Sequence, residues 1–160
     1  MSTLNHLNEQ GEANIVDIGA KEVTRREAVA KCCITMRPET LQQVQTNAIA
    51  KGDVWAVARI AGIQSAKATT NLIPLCHPIR IDKIAIDFDI TSPTTILVIA
   101  TVNATERTGV EMEALVAAST ACLTIYDMCK AIDREMVIGP TYVAHKSGGK
   151  TGDFTFEPTS

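Results

Sequence analysis

Aromatic side chains are scarce: one Trp, two Tyr and three Phe among 160 residues. Modules that hold single-stranded RNA stack bases on exposed strand aromatics, and here only Phe88 falls in a predicted internal strand, so that class is excluded. A basic excess is also missing. Fifteen Lys and Arg stand against eighteen Asp and Glu, a formal charge of −3, which argues against broad nucleic-acid binding while leaving room for a local basic pocket. The five cysteines, at 32, 33, 76, 122 and 129, are odd in number and form no CxxC pair, so neither a disulfide framework nor a zinc ribbon is expected. Cys122 and Cys129, seven apart on a predicted helix, read as small buried thiols. Cys76 sits beside His77 without a second ligand cluster, and no metal site is expected. The opening "MSTLNHLNEQ" lacks the basic start and apolar run of a signal peptide, and no apolar stretch approaches the roughly 20 residues of a membrane span. The expectation is a soluble, cytoplasmic protein without a membrane partner.

What is present is enough aliphatic residue for a single core. Hydrophobic residues make up 46%, mostly Ile, Val, Leu, Ala and Met, and 160 residues can bury a core without staples. Residues 1–14 are polar and read as a flexible arm, leaving 15–160 as one domain. Residues 27–36 alternate with Val29, Lys31, Cys33 and Thr35 on one phase and Ala30, Cys32, Ile34 and Met36 on the other, the pattern of a strand. Pro38 suits a helix first turn over 38–50, and Asp53 can cap a second helix running to about residue 71. In 79–90, Ile79 and Ile81 hold one phase while Ile84, Ile86, Phe88 and Ile90 hold the other, which predicts a bulge inside a strand. "TSPTT" turns the chain into a partner strand at 96–104. A helix over about 109–133 and a strand over 137–145 complete the order β, α, α, β, β, α, β. That order predicts an α+β, ferredoxin-like fold, an antiparallel four-stranded sheet with helices on one face.

Four stretches carry chemistry. Pro74 and Pro78 disfavour helical backbone at the residues before them, so Pro74 to His77 reads as a stiff connector. Thr108 and Glu111 match the S/T-x-x-E capping box, which gives Glu111 a structural reading; Glu113 has none. Residues 114–125 are uncharged, as a buried helix requires. Asp127 and Lys130 then share a helix face. Fourteen residues separate Glu113 from Asp127, about 40° around the axis but about 21 Å along it. One small substrate cannot touch both on one helix, so either they serve different purposes or a second copy brings them together; the apolar helix favours a homo-oligomer with sites between subunits. In "HKSGGKTGDF", Gly148, Gly149 and Gly152 among Lys146 and Lys150 suit close backbone approach to an anion, with Ser147 and Thr151 beside them. It is no nucleotide P-loop, because Ala144 stands where the earlier Gly is required.

Together "KGDVWAVARIAGIQSAK", "LIPLCHPI", "TGVEMEALVAAS", "LTIYDMCKA" and "KSGGKTGDF" resemble the molybdenum cofactor biosynthesis protein C family, the cyclic pyranopterin monophosphate synthases, over about residues 14–156. The resemblance implies conversion of a cyclised dihydro-GTP, (8S)-3',8-cyclo-7,8-dihydroguanosine 5'-triphosphate, to cyclic pyranopterin monophosphate with loss of pyrophosphate. It implies a lyase with no cofactor, a small-molecule substrate rather than nucleic acid, and a hexamer built as a trimer of dimers. Carried onto matching positions, it implies Asp127, Lys130 and Lys51 as acid/base residues, with pKa values drawn toward the operating pH in a partly dry site. Leu75, Cys76, His77, Met112 and Glu113 would bind substrate. Arg26, Lys67, Lys146 and Lys150 are candidates for the triphosphate. Arg107 departs from the family pattern, which carries lysine there. The competing reading is a non-catalytic ferredoxin-like nucleotide-sensing module.

Overall fold

The computed structural model describes residues 10–150 and 152–158. The first nine residues of the expected arm, and Thr151 of the glycine-lysine stretch, lie outside the described residues. The elements are β1 (Thr24–Thr35), α1 (Pro38–Gln45), α2 (Val54–Lys67), α3 (Thr69–Leu72), β2 (Ile81–Ser92), β3 (Thr95–Glu106), α4 (Glu111–Cys129), β4 (Val137–Ser147) and β5 (Phe154–Thr155). They form one antiparallel sheet in the order β2-β3-β1-β4-β5. Its first four strands have the split βαβ arrangement the element order predicts. The sheet has five strands, not four: the chain after the glycine-lysine stretch returns as β5, pairing His145 with Thr155.

Alternation in β1 settles which face is covered. Ala28, Ala30, Cys32 and Ile34 are buried against the helices, while Val29, Lys31 and Cys33 lie half-exposed on the open face. The same period in β3 buries Ile96, Val98, Ala100 and Val102. Over this floor lie α2 and α4. Ala114, Ala117, Ala118 and Ala121 are wholly buried, so α4 sits close to both neighbours. Gly62 admits that approach, since a Cβ there would stand 3.1 Å from the Ala117 carbonyl oxygen and 3.1 Å from Ile86 Cδ1. Fully buried side chains such as Ile34, Ile96 and Ile125 each contribute about 1.5–3 kcal/mol. By length and composition, α4 could cross a membrane, contrary to the sequence expectation; here it is the core helix, covered by α2 and the sheet. Its apolarity is therefore largely spent inside the chain and no longer argues by itself for self-association.

Asp53 caps α2 as expected, accepting the Ala56 N–H at 3.0 Å. The bulge in β2 is present, a register shift between Ile81 and Lys83. Three helix boundaries differ. Helix α1 ends at Gln45 rather than residue 50, because Asn47 turns to φ +54° and Thr46 Oγ1 donates to the Gln42 carbonyl. The second helix breaks at Ala68, and Thr69 begins a separate turn with its hydroxyl on the Ala66 carbonyl. The last helix spans 111–129, and its expected capping box does not form: Val110 is the N-cap residue and no side chain caps the end.

Candidate active site

Antiparallel pairing gathers four chain segments at one end of the sheet. The start of β1 meets the end of β3, Thr24 opposite Glu106, and the end of β4, Glu27 opposite Ser147. Because β3 ends there, α4 also begins there. The strand expected over 27–36 begins earlier, at Thr24, and ladder partners at Thr105 and Ala104 place Arg25 and Arg26 inside it. Arg26 is nearly buried, and its guanidinium donates to the carbonyls of Glu106 (3.3 Å) and Arg107 (3.4 Å), tying β1 to the connector that leads into α4.

Two adjoining cavities open between these segments. The larger, about 450 Å³, is lined by Arg26, Arg107, Lys146, Lys150, Lys21 and the Gly148–Gly149 backbone. Gly148 allows this: its φ is +83°, and a Cβ would lie 1.8 Å from the Arg25 carbonyl oxygen. The Thr24 hydroxyl donates to the Gly148 carbonyl at 2.8 Å and holds the loop against β1. The smaller cavity, about 300 Å³, is lined by Leu75, Cys76, His77, Met112 and Glu113, with Val16, Ile18 and Lys21 closing one side. Lys21, Thr108, Gly109 and Glu111 line both. The first cavity suits a chain of phosphates; the second offers apolar walls with a few polar groups, as a ring requires.

The connector holds His77 as its prolines imply, and the segment before β1 completes the grip. His77 Nε2 lies 2.7 Å from the Val16 carbonyl oxygen. A carbonyl only accepts, so Nε2 carries a proton and donates, which leaves Nδ1 for the chemistry of the cavity. Glu113 is 3% exposed. Burial pushes its carboxyl up, opposed by its own backbone N–H and reinforced by Glu111. Burial likewise raises the Cys76 thiol, and Glu113 adds to it. Glu113 is thereby drawn toward the protonated form, able to donate as well as accept.

A second cluster stands at the far end of α4. Asp127 lies 2.6 Å from Lys130 and 3.1 Å from Lys51, whose ammonium also donates to the Asp127 carbonyl at 2.6 Å. All three side chains are about half-exposed. Lys130, then Lys51, holds the Asp127 carboxyl below its usual range, and Asp127 raises Lys130. These directions separate acid from base, contrary to the expectation of values drawn toward operating pH. In one chain the cluster is a solvated ion triad, and desolvation is what it lacks.

The structure thus brings Leu75, Cys76, His77, Met112 and Glu113 together, gathers Arg26, Lys146 and Lys150 beside them, and keeps Asp127, Lys130 and Lys51 as a separate group. Lys67 does not join the phosphate candidates. It borders a distinct hollow of about 80 Å³ beside Thr70 and Pro78, reached on the other side of Glu113. Val16 and Ile18 carried no chemical signal in the sequence, since their part is played by a carbonyl and a wall. Lys21, which lines both cavities, is a further cation of the site. Glu111, accounted for as a capping residue, instead turns its carboxylate to Lys146 at 3.0 Å.

The pattern of the MoaC family matches residues 15–149. The chain belongs to the MoaC family. It is 53% identical over 151 residues to a protein of Brevibacillus brevis, covering 94% of each chain. With one from a Roseiflexus species it is 56% identical over 155 residues, covering 96% of this chain and 98% of the other. With one from Pelotomaculum thermopropionicum it is 53% identical over 155 residues, covering 96% and 91%. Each of these relatives is named cyclic pyranopterin monophosphate synthase. The MoaC pattern ends at Gly149, so it takes in the smaller cavity, the triad and the larger cavity except Lys150 and Gly152, but not β5.

Proposed function

We propose that this MoaC-family chain is a cyclic pyranopterin monophosphate synthase, a lyase that rearranges (8S)-3',8-cyclo-7,8-dihydroguanosine 5'-triphosphate to cyclic pyranopterin monophosphate and releases pyrophosphate. The observation that carries this reading is the pair of adjoining cavities, one cationic and one lined by His77, Cys76 and Glu113. A nucleotide with a triphosphate tail and a compact fused ring has one part suited to each. Lys146, Lys150 and Arg26 hold phosphate oxygens. Leu75 and Met112 pack the ring; His77 Nδ1 and the Glu113 carboxyl meet its polar edge.

Ring opening and reclosure move protons at several atoms, which one carboxyl and one imidazole do not cover. Asp127, Lys130 and Lys51 supply the rest as acid/base groups. Asp127 lies about 21 Å along α4 from Glu113, and the two lysines are paired with it, so a second copy of the chain delivers them, and the working form is a homo-oligomer, a trimer of dimers. Contact with that copy removes the water that keeps Asp127 and Lys130 fully charged, narrowing the gap between their pKa values. Residues 15–160 act as the single catalytic domain in the cytoplasm, with no cofactor.

Incubation of the purified protein with the cyclised dihydro-GTP, followed by pyrophosphate assay and pterin fluorescence after oxidation, tests the activity. Binding without pyrophosphate release would leave a nucleotide sensor instead. Asp127→Asn and Lys51→Ala are each expected to lower turnover at least 100-fold, in line with loss of a general acid or base (about 10²–10⁴). Near-normal turnover in either removes that residue from the scheme. Mixing Asp127→Asn chains with Glu113→Gln chains is expected to restore part of the activity when subunits exchange. No restoration would place both groups in one subunit's site.

A further inference from the structure

Glu111 lies where the two cavities meet, and its position is not explained by helix capping. Its Oε1 is 3.0 Å from Lys146 Nζ, with about a third of each side chain exposed. The carboxylate reaches Lys146 by folding back over Gly109, so closely that a Cβ at residue 109 would stand 1.9 Å from Glu111 Oε2. Glycine at that position leaves the space the carboxylate fills. Lys146 is therefore already paired with an internal anion, in a cavity that Arg26, Arg107, Lys21 and Lys150 line together with Glu22 and Glu27.

We propose that Glu111 is a built-in competitor for Lys146, displaced when the polyphosphate chain of the substrate enters the cationic cavity. The proposal rests on the reading of that cavity as a polyphosphate site. A phosphate oxygen reaching Lys146 takes the place of the carboxylate, and the charge-assisted bond it forms is offset by the one it breaks. A ligand bearing one phosphate has little else to gain. One bearing three also engages Arg26, Lys150 and the glycine loop, and these further contacts carry the displacement. The freed carboxylate borders the His77 cavity, which Glu113 also lines. Glu111 is thus a specificity-determining residue, selecting for a polyphosphate chain, rather than a cap.

The test is a double-mutant cycle read by titration calorimetry with inorganic tripolyphosphate at fixed ionic strength. It uses the full-length chain, Glu111→Gln, Lys146→Met and the double variant, each first matched by thermal unfolding. Removing a competing, partly exposed ion pair is expected to tighten binding about two- to fivefold in Glu111→Gln. Lys146→Met weakens binding, and adding Glu111→Gln to it changes the Kd by less than about 1.5-fold, because the partner is gone. Unchanged or weaker binding in Glu111→Gln overturns the proposal, as does equal tightening with and without Lys146, which would mark a general field effect. If the full-length chain binds tripolyphosphate but the cycle fails in either way, the cavity reading stands and this inference falls. Absence of tripolyphosphate binding in all four proteins overturns both.

Discussion

Substituting Gly148→Ala tests whether the glycine-lysine loop is built by close backbone approach. The added Cβ would meet the Arg25 carbonyl oxygen at 1.8 Å, whereas real Cβ contacts essentially never fall below 3.0 Å. The loop must therefore retreat by 3.0 − 1.8 = 1.2 Å, or β1 must yield. Neither obstacle is the soft end of a flexible side chain: both are backbone, and β1 is held on two sides by β3 and β4. Alanine at φ +83° adds about 1 kcal/mol of conformational strain. The overlap adds about 1–3 kcal/mol. A loss near 3 kcal/mol corresponds to a fall in Tm of about 9 °C for a domain of this size. A retreat of this size also moves Lys146 and Lys150 away from the phosphates, and a misplacement of about 1 Å can cost on the order of 100-fold in rate. Thermal unfolding followed by calorimetry gives the first quantity and steady-state turnover the second. A Tm within 2 °C of the parent protein, or an unchanged kcat/KM, would refute the reasoning.

Two further predictions concern buried carboxyls of opposite character. Glu113 has a raised folded pKa, so its contribution to stability is full below the unfolded carboxyl value and is lost as pH rises through the folded one. Glu113→Gln is therefore expected to be more stable than the parent protein at pH 7 by chemical denaturation, while binding substrate more weakly; a stability difference between the two proteins that is the same at pH 4 and pH 7 would contradict this. Asp133, 2% exposed, accepts the N–H of Arg37 (2.9 Å) and of Glu135 (3.2 Å) and the Thr40 hydroxyl (3.1 Å). Burial opposes its charge, but these donors and Arg37 outweigh it and hold the carboxyl below its usual value. Its stability contribution is thus present above the unfolded carboxyl pKa and lost as pH falls through the folded one. Asp133→Asn sets an amide donor among these donors and is expected to cost about 2–4 kcal/mol in urea unfolding at pH 7, with the gap closing in acid. A cost below 1 kcal/mol would mean that the network relaxes around the amide.

The period of two in β1 and β3, the bulge marked by the phase change after Ile81, and the Asp53 cap were legible because each is a local property of a few successive residues. Element boundaries were less so. Helix α1 stops five residues early because Asn47 accepts a left-handed backbone and Thr46 takes the Gln42 carbonyl, choices that apolar spacing does not record. The Glu111 reading failed for a related reason: Thr108 and Glu111 match a capping pattern, yet a lysine thirty-five residues later draws the carboxylate away.

The sequence by itself determined the layering of helices on one sheet face, the stiff connector around His77 and the membership in the MoaC family. It also determined that Asp127 and Lys130 pair, since three residues on a helix fix their distance whatever surrounds them. Only the tertiary structure decided that Lys51 joins them, that Lys67 stands apart from the other cations, and that Val16 holds His77 through a carbonyl. Backbone groups are the same at every residue, so what they grip depends on where the chain passes. Antiparallel pairing decides that, by bringing the start of β1 and the ends of β3 and β4 to the one edge where the two cavities open.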